Sequence, residues 1–482
     1  MNVFPSRLFL CVAVLCTVLG SARSWQTSST TRIKQIYVEP FATQAGSEKF
    51  RQDLIAELGK HVLVSLAANE SGADAILGGG GEVWIKGYRS HNPQLGNIPA
   101  NGTAIYSGFL SIELRDKNGE TLWSYLATPP VASEDVTKDL SAEIASKLVE
   151  FLRKGELPPR TTTSLQPATI LKGAGATFPY PVYEKWITNY RHEAPSVQIT
   201  YDPIGSEAGV RSLLGKKVDF GASDSPEAIH ELAAGDEEQY LFFPSVIGAV
   251  VPVVNLPGLP GDIAFTPEAL AGIYLGKIKK WNDPILMKFN RGLHLPDLEI
   301  VVVHRADGSG STYAWTDYLS KTSAAWETQV GASLHPKWPI GLEATGNDGV
   351  SKLVKEQSGS IGYVEFIYAL QNHLSYGRVL NRHGKFVAAS LESIAAAAGH
   401  LKNSDGFNVS IVDTPGEGSY PICSFTWIVV PVHGLEDAKR NALLSFLDWM
   451  LGPGQRQAAA LGYLPLPKEI VSKETVAIAR LH

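Results

Sequence analysis

The sequence predicts an α/β protein with two lobes and a cleft between them, preceded by a small α+β domain. Three observations carry this expectation. The 482 residues exceed what one ordinary core organises, so two or three domains are expected. From about residue 169 onward, apolar strand-like runs (VQITYDP, VDFGASD, VIGAVVPVVN, EIVVVHR, FTWIVVPV) alternate with helical stretches. Those stretches lie at about 180–192, 208–215, 226–233, 267–274, 312–320, 347–356 and 436–451, an alternation expected of parallel α/β layers. Residues 155–168, GELPPRTTTSLQPA, have linker composition and set this region apart from residues 32–154.

Residues 32–154 read as βαβββα. A strand-like IYVEPF, Ile36 to Phe41, precedes a helical stretch from about Glu48 to Ala68, with apolar positions at Phe50, Leu54, Leu58, Val62 and Leu66. Period-2 runs follow in EVWIKGY and in the pair TAIYSGFLSIEL and TLWSYLA, which flank the turn Asp116–Gly119. An amphipathic helix over about 141–153 closes the unit. The run Gly78–Gly81 lacks the Lys-Ser/Thr of a phosphate loop and is expected to be a flexible turn or a loose strand entry.

The N-terminus reads as a signal peptide, residues 1–22. Arg7 supplies the positive n-region, Leu8 to Gly20 the apolar segment, and Gly20 and Ala22 an A-x-A-like cleavage site. That apolar segment is shorter than the roughly 20 residues that span a bilayer, so no stable membrane insertion is expected after cleavage. Cys11 and Cys16 do not follow the Leu-small-small pattern of an acylated anchor, and only Cys423 remains in the mature chain. Acidic residues outnumber basic ones, 48 to 42, which argues against a broad basic surface for nucleic acid or anionic lipid. A small anion site is still open, because oriented dipoles can build one without net charge.

Four segments share one design, a short polar turn opening onto a helix. GAGATFPYP places Thr177 before Pro179 and Pro181, and GSEAGV places Ser206 at an N-cap. ASDSPEAI places Asp224 two residues before Pro226, and HRADGSGSTYAW places Ser309, Gly310 and Ser311 at a helix head. Helix N-termini present unpaired N–H groups and partial positive charge, which suits an oxyanion. Singly each signal is weak, since a Ser or Thr cap is usually only a cap and Arg305 beside Asp307 is more often a surface ion pair. Together they matter because all four could face one cleft.

The segments LKGAGATFPYPVYEKW, VDFGASDSP, LGKIKKWNDP, HRADGSGSTYAW and GSIGYVEFIYA resemble the periplasmic phosphate-binding protein family of Pst-type ABC importers, in order from about 169 to 466. The resemblance implies a type II periplasmic-binding-protein fold over 169–482. Its lobes would be about 169–246 with 410–482, and about 247–409. By motif, Thr177 offers a hydroxyl and Phe178 its backbone N–H to phosphate. Ser206 is similar to the family's second-segment serine, and Ser309, Gly310 and Ser311 to its last donors. Asp224 matches the carboxylate that accepts the phosphate's own proton, and Arg305 the charged clamp steadied by Asp307.

The resemblance also implies a monomer in the periplasm that delivers inorganic phosphate to an inner-membrane ABC permease. It needs no cofactor or metal and is not an enzyme; no HExxH spacing or GxSxG elbow contradicts this. Physical chemistry agrees on selectivity. A buried carboxylate beside an oxyanion is repulsive unless a proton lies between them, and phosphate near neutral pH carries one whereas sulfate does not. Glu207 departs from the family pattern in the second segment and is expected to point to solvent. The domain at 32–154 lies outside the resemblance. It motivates the alternative of an envelope interaction or phosphate-sensing protein that binds a partner through it.

Overall fold

A computed structural model describes residues 33–41, 47–90, 102–129, 132–154, 169–226, 239–256, 258, 262–400 and 409–479. The expected signal peptide, the expected linker and all but the first residue of the helix expected at 226–233 lie outside the described residues. Among the described residues no helix is long and apolar enough to cross a membrane.

The N-terminal unit runs β1 (Gln35–Val38), α1 (Ser47–Leu58), β2 (Ser65–Leu66), β3 (Ala75–Ser90), β4 (Gly102–Asp116), β5 (Thr121–Ala127) and α2 (Val136–Lys154). It is the expected βαβββα order with one extra two-residue strand, in a sheet ordered β2-β1-β3-β4-β5. α1 stops well short of Ala68. At Gly59 the chain leaves the helix, with its N–H still bonded to Ile55 O at 3.0 Å. Val62 and Leu66 therefore fall outside the helix and are exposed. The turn after β4 closes as expected. Gly119 sits at φ +85°, and Asp116 Oδ1 accepts the N–H groups of Asn118 and Glu120 at 2.8 and 2.9 Å.

The four-glycine run is neither a turn nor a strand entry. It lies inside β3, opposite Leu110–Glu113 of β4. A Cβ at Gly81 would sit 2.9 Å from the Phe50 ring of α1, and one at Gly79 2.7 Å from Ile112. Side chains are missing there so that the core can press onto the strand backbone. Strand alternation then divides the sheet's faces. Leu110, Ile112, Leu114 and Ala127 are buried together with Phe50, Leu54, Ile144 and Leu148 of the helices. Burying each of these leucine, isoleucine and phenylalanine side chains stabilises the unit by ~1.5–3 kcal/mol.

The opposite face docks on the rest of the protein. The Ser111 hydroxyl donates to Ala460 O at 2.8 Å, and the Ser124 hydroxyl to Arg456 O. Arg456 Nε donates to Thr121 O at 2.6 Å and its guanidinium pairs with Glu120. Farther along, Trp84 stacks on His373 with centroids 4.7 Å apart. Lys147 pairs with Glu392 at 2.9 Å, and the Tyr125 hydroxyl reaches the same carboxylate.

The larger unit opens with β6 (Thr169–Gly175), α3 (Tyr180–Glu193), β7 (Val197–Asp202), α4 (Ser206–Leu214), β8 (Phe220–Ser223) and β9 (Tyr240–Val254). Next come β10 (Ala264–Phe265), β11 (Val301–Arg305), β12 (Leu342–Ala344), β13 (Ser360–Glu365), β14 (Ser375–Tyr376), β15 (Arg378–Leu380), β16 (Phe386–Val387) and β17 (Cys423–Pro431). The main sheet is ordered β12-β11-β13-β9-β17-β8-β6-β7, with β14 also on β9. Within each half the strands are parallel: β7-β6-β8 in one, β12-β11-β13 in the other. The almost wholly buried β9 joins them. Residues 240–249 pair with β17 and 250–254 with β13, so one strand passes between two lobes. Cys423 is a buried free thiol on β17.

Candidate anion-binding site

The chemistry converges where β6, β8 and β11 end, at the carboxyl edge where open α/β sheets bind ligands. Thr177 follows β6, Asp224 follows β8, and Arg305 is the last residue of β11. Ser206 opens α4, with Gly205 rather than Ser206 as its N-cap. The reason is backbone geometry: Gly205 sits at φ +95°, where a serine would be strained, and Ser206 is moved into the first helical turn. Ser309 caps the helix Gly310–Thr322, its hydroxyl accepting Thr312 N–H at 3.2 Å.

Hydrogen bonds join Ser206 to Asp224 and Gly310, Arg305 to Asp307 and on to Gly346, and Thr177 to Asn347 beside it, while Phe178, Ser309 and Ser311 adjoin these residues along the chain. The Ser206 hydroxyl oxygen accepts the N–H groups of Asp224 and Gly310 at 3.3 and 3.1 Å, tying the second, third and fourth segments together. With both lone pairs used, its hydrogen is left to donate, to the Asp224 carboxylate beside it or to an anion there. Asn347, at the start of the helix Gly346–Glu356, donates to the Thr177 hydroxyl oxygen at 2.9 Å and so leaves that hydrogen free as well. The Ser311 hydroxyl is buried with no partner among the described residues. Phe178 is fully buried, and its carbonyl accepts the Tyr463 hydroxyl at 2.6 Å.

Two charges stand among these donors. Arg305 is 2% exposed, and its Nε and Nη2 donate side-on to Asp307, the former at 2.8 Å. That pairing leaves the Nη1–Nη2 end of the fork for an anion. Burial alone would raise the Asp307 pKa, but Arg305 and the Gly346 N–H at 3.0 Å hold it below the ordinary carboxylate value. Asp224 behaves differently. It is 1% exposed, and burial pushes it up to about 7 against the opposing pull of Thr426, Arg305 and Ser206. Oδ1 accepts the Thr426 hydroxyl. Oδ2 faces the donors: a Cβ on Gly310 would lie 2.8 Å from it and 2.8 Å from Ser206 Oγ. No side chain could replace hydrogen at Gly310 without displacing them.

Glu207 stays out of the cluster. Its carboxylate accepts from Arg211 Nε and Nη2 at 3.0 and 2.6 Å, and the side chain lies along Gly308, about one quarter exposed. Motif reading missed Thr426, Asn347 and Glu365. Glu365 is wholly buried, and burial raises its carboxyl well above the ordinary glutamate value. Thr426 lies within a strand, where no turn announces it; Asn347 and Glu365 do open helices, Glu365 as the N-cap of Phe366–Gln371, but neither carries the proline or hydroxyl that pointed to the others.

A family profile described as a PBP superfamily domain matches residues 160–453. The phosphate-binding protein PstS of Pasteurella multocida is 43% identical over 309 residues, covering 64% of this chain and 89% of that protein. The chain belongs to the PBP superfamily, within its PstS family. The PstS of Xylella fastidiosa is 44% identical over 306 residues, with 63% and 83% covered. That of the archaeon Methanocaldococcus jannaschii is 35% identical over 330 residues. A solved high affinity periplasmic phosphate-binding protein (PfluDING), bound with phosphate, superposes with a TM-score of 0.51 at 19% identity. It covers 64% of this chain and 93% of its own, a likeness of fold. The PstS-family part therefore corresponds to the two-lobed unit, and β1–α2 is carried in addition.

Proposed function

We propose that this protein captures inorganic phosphate between its two lobes and hands it to an inner-membrane ABC permease. The observation that carries the reading is Asp224, a buried carboxylate set among outward-facing donors with one oxygen toward them. Such an acceptor favours an anion that brings its own proton. Thr177, Ser206, Ser309 and Ser311 supply hydroxyls, Phe178 a backbone N–H, and Arg305 the charge, steadied by Asp307; the Gly310 N–H, donated to Ser206 Oγ in this structure, would have to turn to the anion. The PstS relatives bear the name of phosphate-binding proteins. Residues 1–22 would export the chain to the periplasm, 32–154 form the added domain and 155–168 the linker, and the binding protein acts as a monomer without catalysis.

Calorimetry on the whole mature chain tests this. Phosphate is expected to bind with one-to-one stoichiometry and sulfate far more weakly; no heat of phosphate binding would sink the reading.

One observation favours the sensing alternative. The N-terminal unit is fastened to both lobes, through Arg456, Ala460 and Lys185 on one and His373 and Glu392 on the other. A change in lobe closure would strain one set of contacts against the other. Hydrogen exchange in β5 and the Trp84 region is expected to change when phosphate is added, rising in the set of contacts that closure strains. Identical exchange with and without phosphate would leave the unit a passive appendage.

A further inference from the structure

We propose that Thr426 is a positioning residue for anion selection, its hydroxyl holding Oδ1 of Asp224 so that only Oδ2 meets the ligand. The inference rests on the phosphate reading above and deepens it. Thr426 lies on β17, fully buried, and Ser424 two residues earlier points to the same side. The Ser424 hydroxyl donates to Asp224 O at 2.9 Å, while that of Thr426 donates to the carboxylate. One strand thus holds the backbone and the side chain of Asp224 at once.

The strand is itself shaped for this. Pairing of β17 with β9 slips between Thr426 and Trp427, which face Val246 and Pro244, leaving Ser245 as the extra residue. Bulges commonly re-aim a side chain beside a site. Here Ser245 also donates to Thr426 O at 2.9 Å, shares a 2.7 Å hydrogen bond with the Tyr183 hydroxyl, and receives Gln455 Nε2 on its carbonyl at 2.8 Å. The bulge is therefore clamped from three sides, and Thr426 with it.

The consequence is electrostatic. A hydroxyl that donates to a carboxylate favours its ionised form. An ionised Asp224 accepts the proton of phosphate and repels sulfate, whereas a protonated one could donate to sulfate. The other titratable groups that face Asp224 are Arg305, Glu365 and the phenols Tyr183, Tyr201, Tyr368 and Tyr463. Burial raises the four phenols and Glu365 above their ordinary values.

The test is calorimetric titration of phosphate and of sulfate between pH 5.5 and 8.5 on the mature protein and on Thr426→Val, Thr426→Ala and Thr426→Ser. The valine and alanine variants are expected to lose about tenfold in the phosphate-to-sulfate affinity ratio near pH 7.5, a hydrogen bond to a charged group being the interaction removed. The pH at which sulfate binding fades should also rise, and serine should restore both. The alanine–serine pair carries the test should valine fail to fold. An unchanged ratio and pH profile in Thr426→Ala, or a serine variant that behaves like alanine, overturns the proposal while the phosphate reading stands. Absence of phosphate binding by the unsubstituted protein overturns both.

Discussion

Replacing Arg305 by methionine is expected to weaken phosphate binding by roughly 30-fold to several thousand-fold, the range of about 2–5 kcal/mol for breaking a buried, hydrogen-bonded charge pair. Methionine fills a similar length, so lost packing is the smaller part. The larger part is electrostatic. The guanidinium is the one cation named in the cluster, and it approaches an anion whose other partners are neutral hydroxyls and amides. Arg305→Lys should fall between, since an ammonium keeps the charge but cannot serve Asp307 and an oxyanion with two edges of one plane. Calorimetry reads both variants, and a methionine variant within threefold of the parent would remove Arg305 from the site.

The same substitution has a stability readout. Asp307 has a folded pKa below its unfolded value, held there by Arg305 although burial opposes it. Its contribution is therefore present above the unfolded value of about 3.8 and fades as pH falls through the lower folded value. In Arg305→Met the pull of the guanidinium disappears and only backbone N–H groups, Gly346 among them, still oppose burial, so the thermal midpoint near neutral pH should drop and then partly recover on acidification as Asp307 protonates.

How far these residues were legible beforehand follows from what each depends on. Thr177, Ser206, Ser309 and Ser311 sit at turns that open helices, and such turns are local: proline, glycine and a hydroxyl within a few positions announce them. The parallel strands behind them were legible from their apolar runs for the same reason. Thr426 and Asp224 stand 202 positions apart, and Asn347 and Thr177 170 apart. No local pattern reports such pairs, and an alternating strand such as β17 shows only that Thr426 faces one side. The helix expected to run to Ala68 failed for a related reason. Val62 and Leu66 continue the period of Phe50, Leu54 and Leu58, but the break at Gly59 ends the helix before the period does. The glycine run was misread because its purpose lies in Phe50 and Ile112, which press on it from elsewhere in the fold. Docking of the N-terminal unit was invisible too, since Ser111, Ser124 and Glu120 look like ordinary exposed positions of a small sheet.

Asp224→Asn should give the largest change in selectivity. In the parent protein burial raises Asp224 to about 7, so the empty site carries a neutral acid below that pH and a carboxylate above it. For stability the sign is unfavourable: the folded state holds a proton that the unfolded chain has released above about 3.8. The cost grows from there to about 7 and is constant beyond. For binding the sign is selective. Above pH 7 the carboxylate takes the proton of phosphate, while sulfate has none to offer and meets a buried, unpaired charge. Below pH 7 the neutral acid can donate to either anion, so sulfate should compete better as pH falls. Asparagine cannot titrate and always has an amide hydrogen to offer. The variant is therefore expected to lose about 5- to 150-fold in the phosphate-to-sulfate ratio at pH 8, the equivalent of about 1–3 kcal/mol for an unsatisfied buried acceptor. Its sulfate affinity should become flat between pH 5.5 and 8.5. A parent ratio that does not change with pH, or an asparagine variant that still excludes sulfate at pH 8, would place the discrimination elsewhere among the donors. The expected pair of results assigns it to one proton, shared between Asp224 and the ligand.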